Sequence, residues 1–65
     1  MEVIINGRPT STQARTLAEL IASQGIDTTG IAVAVGSRVI PRAQWETTPL
    51  EEGVVITLIR ATQGG

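Results

Sequence analysis

The sequence contains no cysteine, no histidine, no lysine, no phenylalanine and no tyrosine. Without a thiol there is no thiol nucleophile, no iron–sulfur cluster and no disulfide. Without an imidazole the commonest general base and a usual zinc ligand are missing, and without lysine a Schiff base cannot form. We therefore predict no catalytic residue, no bound metal and no bound cofactor, and we expect a protein that is not an enzyme.

The sequence also lacks a strong charge of either sign and any long apolar run. Its five basic and six acidic residues are scattered and leave a net charge of −1. A protein that binds nucleic acid usually carries a basic patch, and a membrane span needs roughly 20 apolar residues. The first residues show no basic segment followed by an apolar one, as a secretory signal would. We expect a cytoplasmic protein, monomeric when free, that binds neither nucleic acid nor membrane.

The 65 residues are enough for one small domain. Alternating apolar residues between turn signals predict strands at 2–5, 8–12, 31–35, 38–40 and 54–60. Asn6-Gly7 is typical of a type I′ hairpin turn, in which both central residues need a positive φ. Pro9 cannot donate to a ladder, which favours an edge position for the second strand.

One helix is predicted over 16–24. Thr16 and Glu19 have the spacing of a capping box, in which each side chain accepts a hydrogen bond from a free backbone N–H at the helix start. Gly25 is a suitable end, because helices often finish in a left-handed residue. The short segment after Pro41 is expected to form one helical turn that places Trp45 at the end of the core.

The last five residues contain no large apolar side chain and end in two glycines. Such a segment cannot bury apolar surface, and glycine loses the most backbone entropy on ordering. We predict a domain at 1–60 and a flexible tail at 61–65. Five extended residues reach roughly 16 Å at about 3.3 Å each, enough to deliver the chain end into another protein's active site.

The predicted order, with one helix to cover one sheet, indicates an α+β fold with a mixed sheet of about five short strands. This order, followed by Gly-Gly, resembles the ubiquitin-like β-grasp fold. The stretch at 33–45, with Pro41-Arg42 and Trp45, is similar to the middle of the bacterial ThiS family, the sulfur carriers of thiamine thiazole synthesis. The opening at 1–7 and the terminal Gly64-Gly65 extend the resemblance over essentially the whole chain.

The resemblance implies a function for the chain end. An ATP-dependent adenylyltransferase related to ubiquitin-activating enzymes would adenylate the carboxylate of Gly65, and sulfur from a sulfur-donating enzyme would convert it to a thiocarboxylate. A thiazole synthase would then receive the sulfur. We expect Gly64, Gln63 and Arg60 to be the residues by which the activating enzyme recognises the tail.

The period-two alternation also predicts a partner interface. If the large aliphatic residues at 3, 5, 33, 35, 56 and 58 face the helix, the opposite face of the sheet is still largely apolar. An apolar face of this kind is a candidate binding site. The predicted interface consists of Ile4, Ala32, Ala34, Val55, Thr57 and Ile59.

Three other functions remain open at this point. A related β-grasp carrier could serve molybdopterin synthesis, tRNA thiolation or cysteine synthesis, since all these carriers share the same chain end. A ubiquitin-like modifier would join its end to target lysines, although this chain has no lysine on which to build chains of itself. A regulatory or RNA-binding module is disfavoured by the scarcity of basic and aromatic residues.

Overall fold

The computed structural model describes residues 1–60, and the predicted tail at 61–65 lies outside the described residues. Five strands, one α-helix and one 3₁₀ helix follow each other along the chain. They are β1 Glu2–Ile5, β2 Arg8–Ser11, α1 Leu17–Ser23, β3 Ile31–Val35, β4 Arg38–Ile40, the 3₁₀ helix Arg42–Thr47 and β5 Val55–Arg60. The predicted elements are confirmed with ends that differ by one or two residues. Across residues 1–60, no helix is both long enough and apolar enough to span a bilayer.

The five strands form one mixed sheet in the order β2-β1-β5-β3-β4. The central pair β1 and β5 is parallel, and the other neighbours are antiparallel. β2 lies at an edge, as Pro9 predicted. The β1–β2 turn has φ values of 51° at Asn6 and 81° at Gly7, so the predicted positive-φ hairpin turn is confirmed. The α+β prediction is likewise confirmed.

Helix α1 begins as predicted at the Thr16 cap, whose Oγ1 accepts a hydrogen bond from Glu19 N at 3.3 Å. The second half of the capping box departs from the usual pattern. The Glu19 carboxylate accepts from Arg15 N at 2.9 Å instead of from Thr16 N. Thr16 has an extended backbone conformation and forms a bridge with Pro49. The Glu19 carboxylate therefore binds the backbone N–H of the residue before the N-cap.

The core lies between α1 and one face of the sheet, which we call the inner face. Its fully buried aliphatic side chains are Val3, Leu17, Leu20, Val33 and Ile56. Half-buried residues of the inner face, including Ile5, Val35 and Leu58, pack against this cluster. Each fully buried aliphatic side chain contributes about 1.5–3 kcal/mol of transfer free energy, which is why the alternation of strand residues fixes which face turns inward.

The 3₁₀ helix closes one end of this core. Trp45 lies within it, only 6% exposed, and belongs to the buried core cluster, as predicted. Leu50 is part of the same cluster. Its Nε1 donates a hydrogen bond to the Ile40 carbonyl at 2.9 Å. The Arg42 guanidinium lies 5.3 Å from the ring centroid, within the range of a cation–π contact.

Candidate functional site

The face of the sheet turned away from α1, here called the outer face, collects the residues of the predicted partner interface. Strand register places them opposite each other in three pairs, because directly paired residues point to the same side of a sheet. Ile4 is paired with Val55, Ala34 with Thr57, and Ala32 with Ile59. The six residues therefore form one continuous patch across β1, β5 and β3.

Exposure is not uniform across this patch. Val55 and Ile59 are 46% and 49% exposed, and Ala32 is also exposed. Ile4 and Thr57 are half-buried, while Ala34 is only 9% exposed. A small side chain in the middle of a sheet is covered by its larger neighbours, so Ala34 forms the floor of the patch and the two exposed aliphatic residues of β5 form its most accessible part.

Sequence reasoning missed a large, exposed apolar residue of the outer face. Val39 on β4 is 64% exposed, more than any other large apolar side chain among residues 1–60, and it is paired with Ala34. Alternation in the short strand could have identified it, because Ile40 next to it is buried in the core. Val39 extends the apolar face to the edge of the sheet.

Strand β5 leads from this face to the chain end. It is the central strand of the sheet and finishes at Arg60, which is exposed and paired with Ile31. A cleft of about 370 Å³ opens at this end, lined by Asn6, Ile26, Ile31, Leu58 and Arg60. Of the predicted tail-recognition residues, Arg60 thus lies beside an open cleft, and Gln63 and Gly64 lie outside the described residues. Gly65, the predicted site of covalent modification, also lies outside them.

The electrostatics around this cleft involve one carboxylate besides the Arg60 guanidinium. Thr29 N donates a hydrogen bond to Asp27 Oδ1 at 2.9 Å. Hydrogen bonds from the Thr29 backbone and side chain lower the pKa of Asp27 below its ordinary value, against slight desolvation, and the positive charge of Arg60 adds to the lowering. The positive charge of Arg60 at the end of β5 is therefore close enough to the Asp27 carboxylate to contribute to the lowering of its pKa.

The described residues form clefts at the end of β5 and against α1. No three acidic side chains among residues 1–60 lie close enough together to hold a metal ion. A second cleft, of about 470 Å³, lies against α1 and is lined by small residues together with Glu19 and Glu46. The Glu19 carboxylate already caps the helix. The arrangement is suited to presenting the strand that leads to residues 61–65.

Comparisons of the sequence and of the fold with known proteins both find similarity to ThiS proteins. The model of the ThiS family matches residues 3–65. The sulfur carrier protein ThiS of Thermus thermophilus is 29% identical over 63 residues, which cover 97% of this chain and 98% of that protein.

Two solved structures of the thiamine biosynthesis protein ThiS from Geobacter metallireducens share the fold. The crystal structure has a TM-score of 0.86 at 19% identity and covers both chains completely. The solution structure has a TM-score of 0.76 at 19% identity over 100% of this chain and 88% of that one. The predicted ubiquitin-like β-grasp fold is thereby confirmed, and the match of the family model over residues 3–65 shows that the chain belongs to the ThiS family.

Proposed function

We propose that this protein is a sulfur carrier of thiamine thiazole synthesis, a protein cosubstrate on which other enzymes act. The observation that carries the proposal is the family match, which extends through Gly65 and so includes the two final glycines. The relative from Thermus thermophilus is a sulfur carrier protein, and the relative from Geobacter metallireducens is a thiamine biosynthesis protein. The lack of cysteine and histidine agrees with chemistry that is supplied by partners.

The reactive group in this proposal is the carboxylate of Gly65. A terminal carboxyl has a pKa near 3.3–3.7, so it is ionised at neutral pH and is a poor acyl electrophile. Its oxygen attacks the α-phosphorus of ATP on an adenylyltransferase related to ubiquitin-activating enzymes. An acyl adenylate forms, and pyrophosphate leaves. ATP is consumed by that enzyme and is not bound by the carrier.

Sulfur enters in the second step. Sulfur at the oxidation level of hydrosulfide, delivered by a sulfur-donating enzyme, attacks the acyl carbon, AMP leaves and one proton is released. The product is a thiocarboxylate on Gly65. On a thiazole synthase the sulfur passes to a carbonyl carbon of the thiazole precursor. The carbon–sulfur bond to Gly65 breaks, and the oxygen atom that the precursor carbon gives up takes the place of sulfur, which regenerates the carboxylate. Dependence on ATP is consistent with a cytoplasmic location.

The outer face supplies the docking surface for the activating enzyme in this proposal. Val55, Thr57 and Ile59 lie on the strand that continues to the chain end. An enzyme that draws residues 61–65 into its active site therefore comes close to this face. The apolar side chains of Val39, Val55 and Ile59, about half exposed or more, give it surface to bury. The face must be open for this contact, so the free carrier acts as a monomer.

The test is intact-mass analysis of the protein recovered from its native host under non-reducing conditions. A gain equal to the mass difference between sulfur and oxygen, lost in a variant without the two final glycines, supports the carrier. Conjugates of high mass to other proteins would instead indicate a modifier, and a chain whose mass never changes would indicate a binding module. Either result overturns the proposal.

The pathway is tested separately. The charged protein is incubated with a thiazole synthase and its precursors, and formation of thiazole is measured. Product formation that stops when uncharged carrier is used supports the thiazole assignment. Charged carrier that yields no thiazole but supports thiolation of molybdopterin, tRNA or a cysteine precursor would move the protein to one of those pathways.

A further inference from the structure

The parallel contact between β1 and β5 is short, and its last hydrogen bond is unusual. Ile4 N donates to the Val54 carbonyl and Asn6 N donates to the Ile56 carbonyl, both at 2.9 Å. The bonds advance by two residues on each strand, as in a regular parallel ladder. The next bond of such a ladder would run from Leu58 N to the carbonyl oxygen of Asn6.

The chain turns away before that bond can form. Asn6 and Gly7 have positive φ values and start the hairpin to β2. Leu58 N donates instead to the side-chain Oδ1 of Asn6, at 2.8 Å. The asparagine amide thus replaces the missing backbone carbonyl and continues the ladder by one bond.

This bond lies two residues before the end of β5 at Arg60. Beyond Ile56, the last residues of β5 are paired with β3 on one side, through Leu58 with Val33 and Arg60 with Ile31. On the other side, β1 has already ended at Ile5, and the Asn6 side chain is the group that holds Leu58. Asn6, Leu58 and Arg60 also line the same cleft.

We propose that Asn6 is a positioning residue that fixes the end of β5, and with it the direction in which the chain leaves the sheet, for the enzyme that activates Gly65. This inference rests on the proposed carrier function. Asn6 acts through Leu58 and touches none of the reacting atoms. Losing the bond leaves the chemistry of activation unchanged but requires the enzyme to order the end of the strand on binding.

The side chain at this position must meet two requirements. It must tolerate a positive φ, which glycine, asparagine and aspartate do most readily, and it must offer an oxygen acceptor. Asn6→Gly keeps the turn and removes the acceptor, because Gly-Gly is also compatible with a type I′ turn. Asn6→Asp keeps both. Thr16→Ala is the control for lowered stability, because it removes the helix cap, a single hydrogen bond like the one lost in Asn6→Gly. Thr16 is far from β5 along the chain.

The experiment measures pyrophosphate release by the adenylyltransferase as the concentration of carrier is varied. We expect Asn6→Gly to raise KM about five- to tenfold, the factor set by one hydrogen bond of ordinary strength, with kcat unchanged. Asn6→Asp and Thr16→Ala should have the KM of the wild type. Amide exchange of the free proteins should show Leu58 N–H exchanging about tenfold faster in Asn6→Gly and not in Asn6→Asp.

Several results would overturn the inference. They are an unchanged KM for Asn6→Gly, an equal rise for Thr16→Ala, and unchanged exchange at Leu58. If Asn6→Gly does not fold, scalar coupling across the hydrogen bond from the Leu58 amide nitrogen to Asn6 Cγ in the wild type decides, and its absence sinks the inference. A wild type that is never adenylated refutes the carrier function instead, while the exchange data still report on the role of Asn6.

Discussion

Two polar side chains complete the contact between β1 and β5 at its opposite ends. At the start of β5, the Glu52 carboxylate accepts a hydrogen bond from Glu2 N, at 3.1 Å to the nearer oxygen. At its end, Asn6 Oδ1 accepts from Leu58 N. In a longer strand pair, backbone carbonyl oxygens would accept these two hydrogen bonds. Glu52 is therefore a structural residue of the turn and not a free acidic group for a basic partner.

Asp27 provides a measurable check on the electrostatics at the end of β5. Its pKa should lie below the ordinary aspartate value in an NMR titration, because Thr29 donates to its charged form. Arg60→Gln should raise the pKa only slightly, since the Thr29 hydrogen bonds are the larger cause.

The sign of the linked stability effect follows from this direction. A carboxyl whose pKa is lower in the folded state stabilises the fold above its unfolded pKa, and this contribution is lost as the pH falls through the folded pKa. Full exposure of Asp27 keeps the contribution small. A pKa at or above the ordinary value would show that the Thr29 bond does not form in solution.

Gly65 gives the sharpest single-residue test of the carrier function. Gly65→Val should be charged poorly, because a branched side chain next to the carboxylate obstructs a narrow enzyme cleft that a residue without Cβ can enter. Intact mass after incubation with adenylyltransferase, ATP and sulfur donor measures the charged fraction. The charged fraction of Gly65→Ala should lie between that of Gly65→Val and that of the wild type.

Folding of these variants should not change, because the described core cluster is built from residues that precede position 59. Urea unfolding of Gly65→Val should therefore match the wild type. Equal charging of the valine variant and the wild type would count against Gly65 as the reactive residue.

Among the elements, the 3₁₀ helix depends most on a single side chain. Trp45 is the only aromatic residue of the chain, and its indole both fills the end of the core and donates to the Ile40 carbonyl. Trp45→Phe should lower the free energy of unfolding by about 1–3 kcal/mol, because the smaller ring fills the end of the core less well and the hydrogen bond to the Ile40 carbonyl is lost. Trp45→Ala should cost about 3–5 kcal/mol, since a cavity remains.

The measurement is urea unfolding followed by circular dichroism, since the substitutions remove the fluorophore. Val39→Ala is the control, because Val39 is exposed, and surface changes usually stay within about 0.5 kcal/mol. Domains of this size are marginally stable, so Trp45→Ala should be largely unfolded at room temperature. A loss no larger than that of the control would mean that Trp45 does not pack in the core.

Local sequence determined the start of the helix and the faces of the strands, but it did not determine every hydrogen-bond partner at the start of the helix. Helix α1 was predicted with its cap at Thr16 because the capping interaction spans only three residues. Local sequence did not specify that Arg15 N would be the donor to the Glu19 carboxylate, because this partner depends on the bridge from Thr16 to the distant Pro49. The faces of β3 and β5 were predicted correctly from alternation, since a period of two is a property of the strand itself.

In the whole molecule, the inner face of the sheet is buried in the core. Within the described residues the outer face is apolar and exposed at Val39, Val55 and Ile59. Ile59→Glu should weaken binding to the activating enzyme at least tenfold, because an acidic group would have to be desolvated in an apolar contact. The melting temperature should stay close to that of the wild type, since Ile59 is 49% exposed. Binding is measured by titration calorimetry with the adenylyltransferase.

Two variants serve as controls for Ile59→Glu. Ala43→Glu introduces the same charge on the exposed surface of the 3₁₀ helix, which packs against α1, and should bind like the wild type. Ile56→Ala, next to the outer-face residues but buried, should cost about 2–5 kcal/mol of stability. A large stability loss in Ile59→Glu, or undiminished binding, would remove the outer face from the proposed interface.

Local sequence was sufficient for the element order, the edge position of β2, the inward and outward faces of the strands and the family to which the chain belongs. These features depend on short-range periodicity, on turn chemistry at Asn6-Gly7 and on motifs such as Pro41-Arg42 with Trp45. The parallel pairing of β1 with β5, the burial of Ala34 and the second role of Asn6 became visible only once the chain was folded. Their physical reason is the same in each case: they depend on neighbours distant in sequence, as in the hydrogen bond from Leu58 to Asn6, and no local pattern records which distant residue will supply the partner.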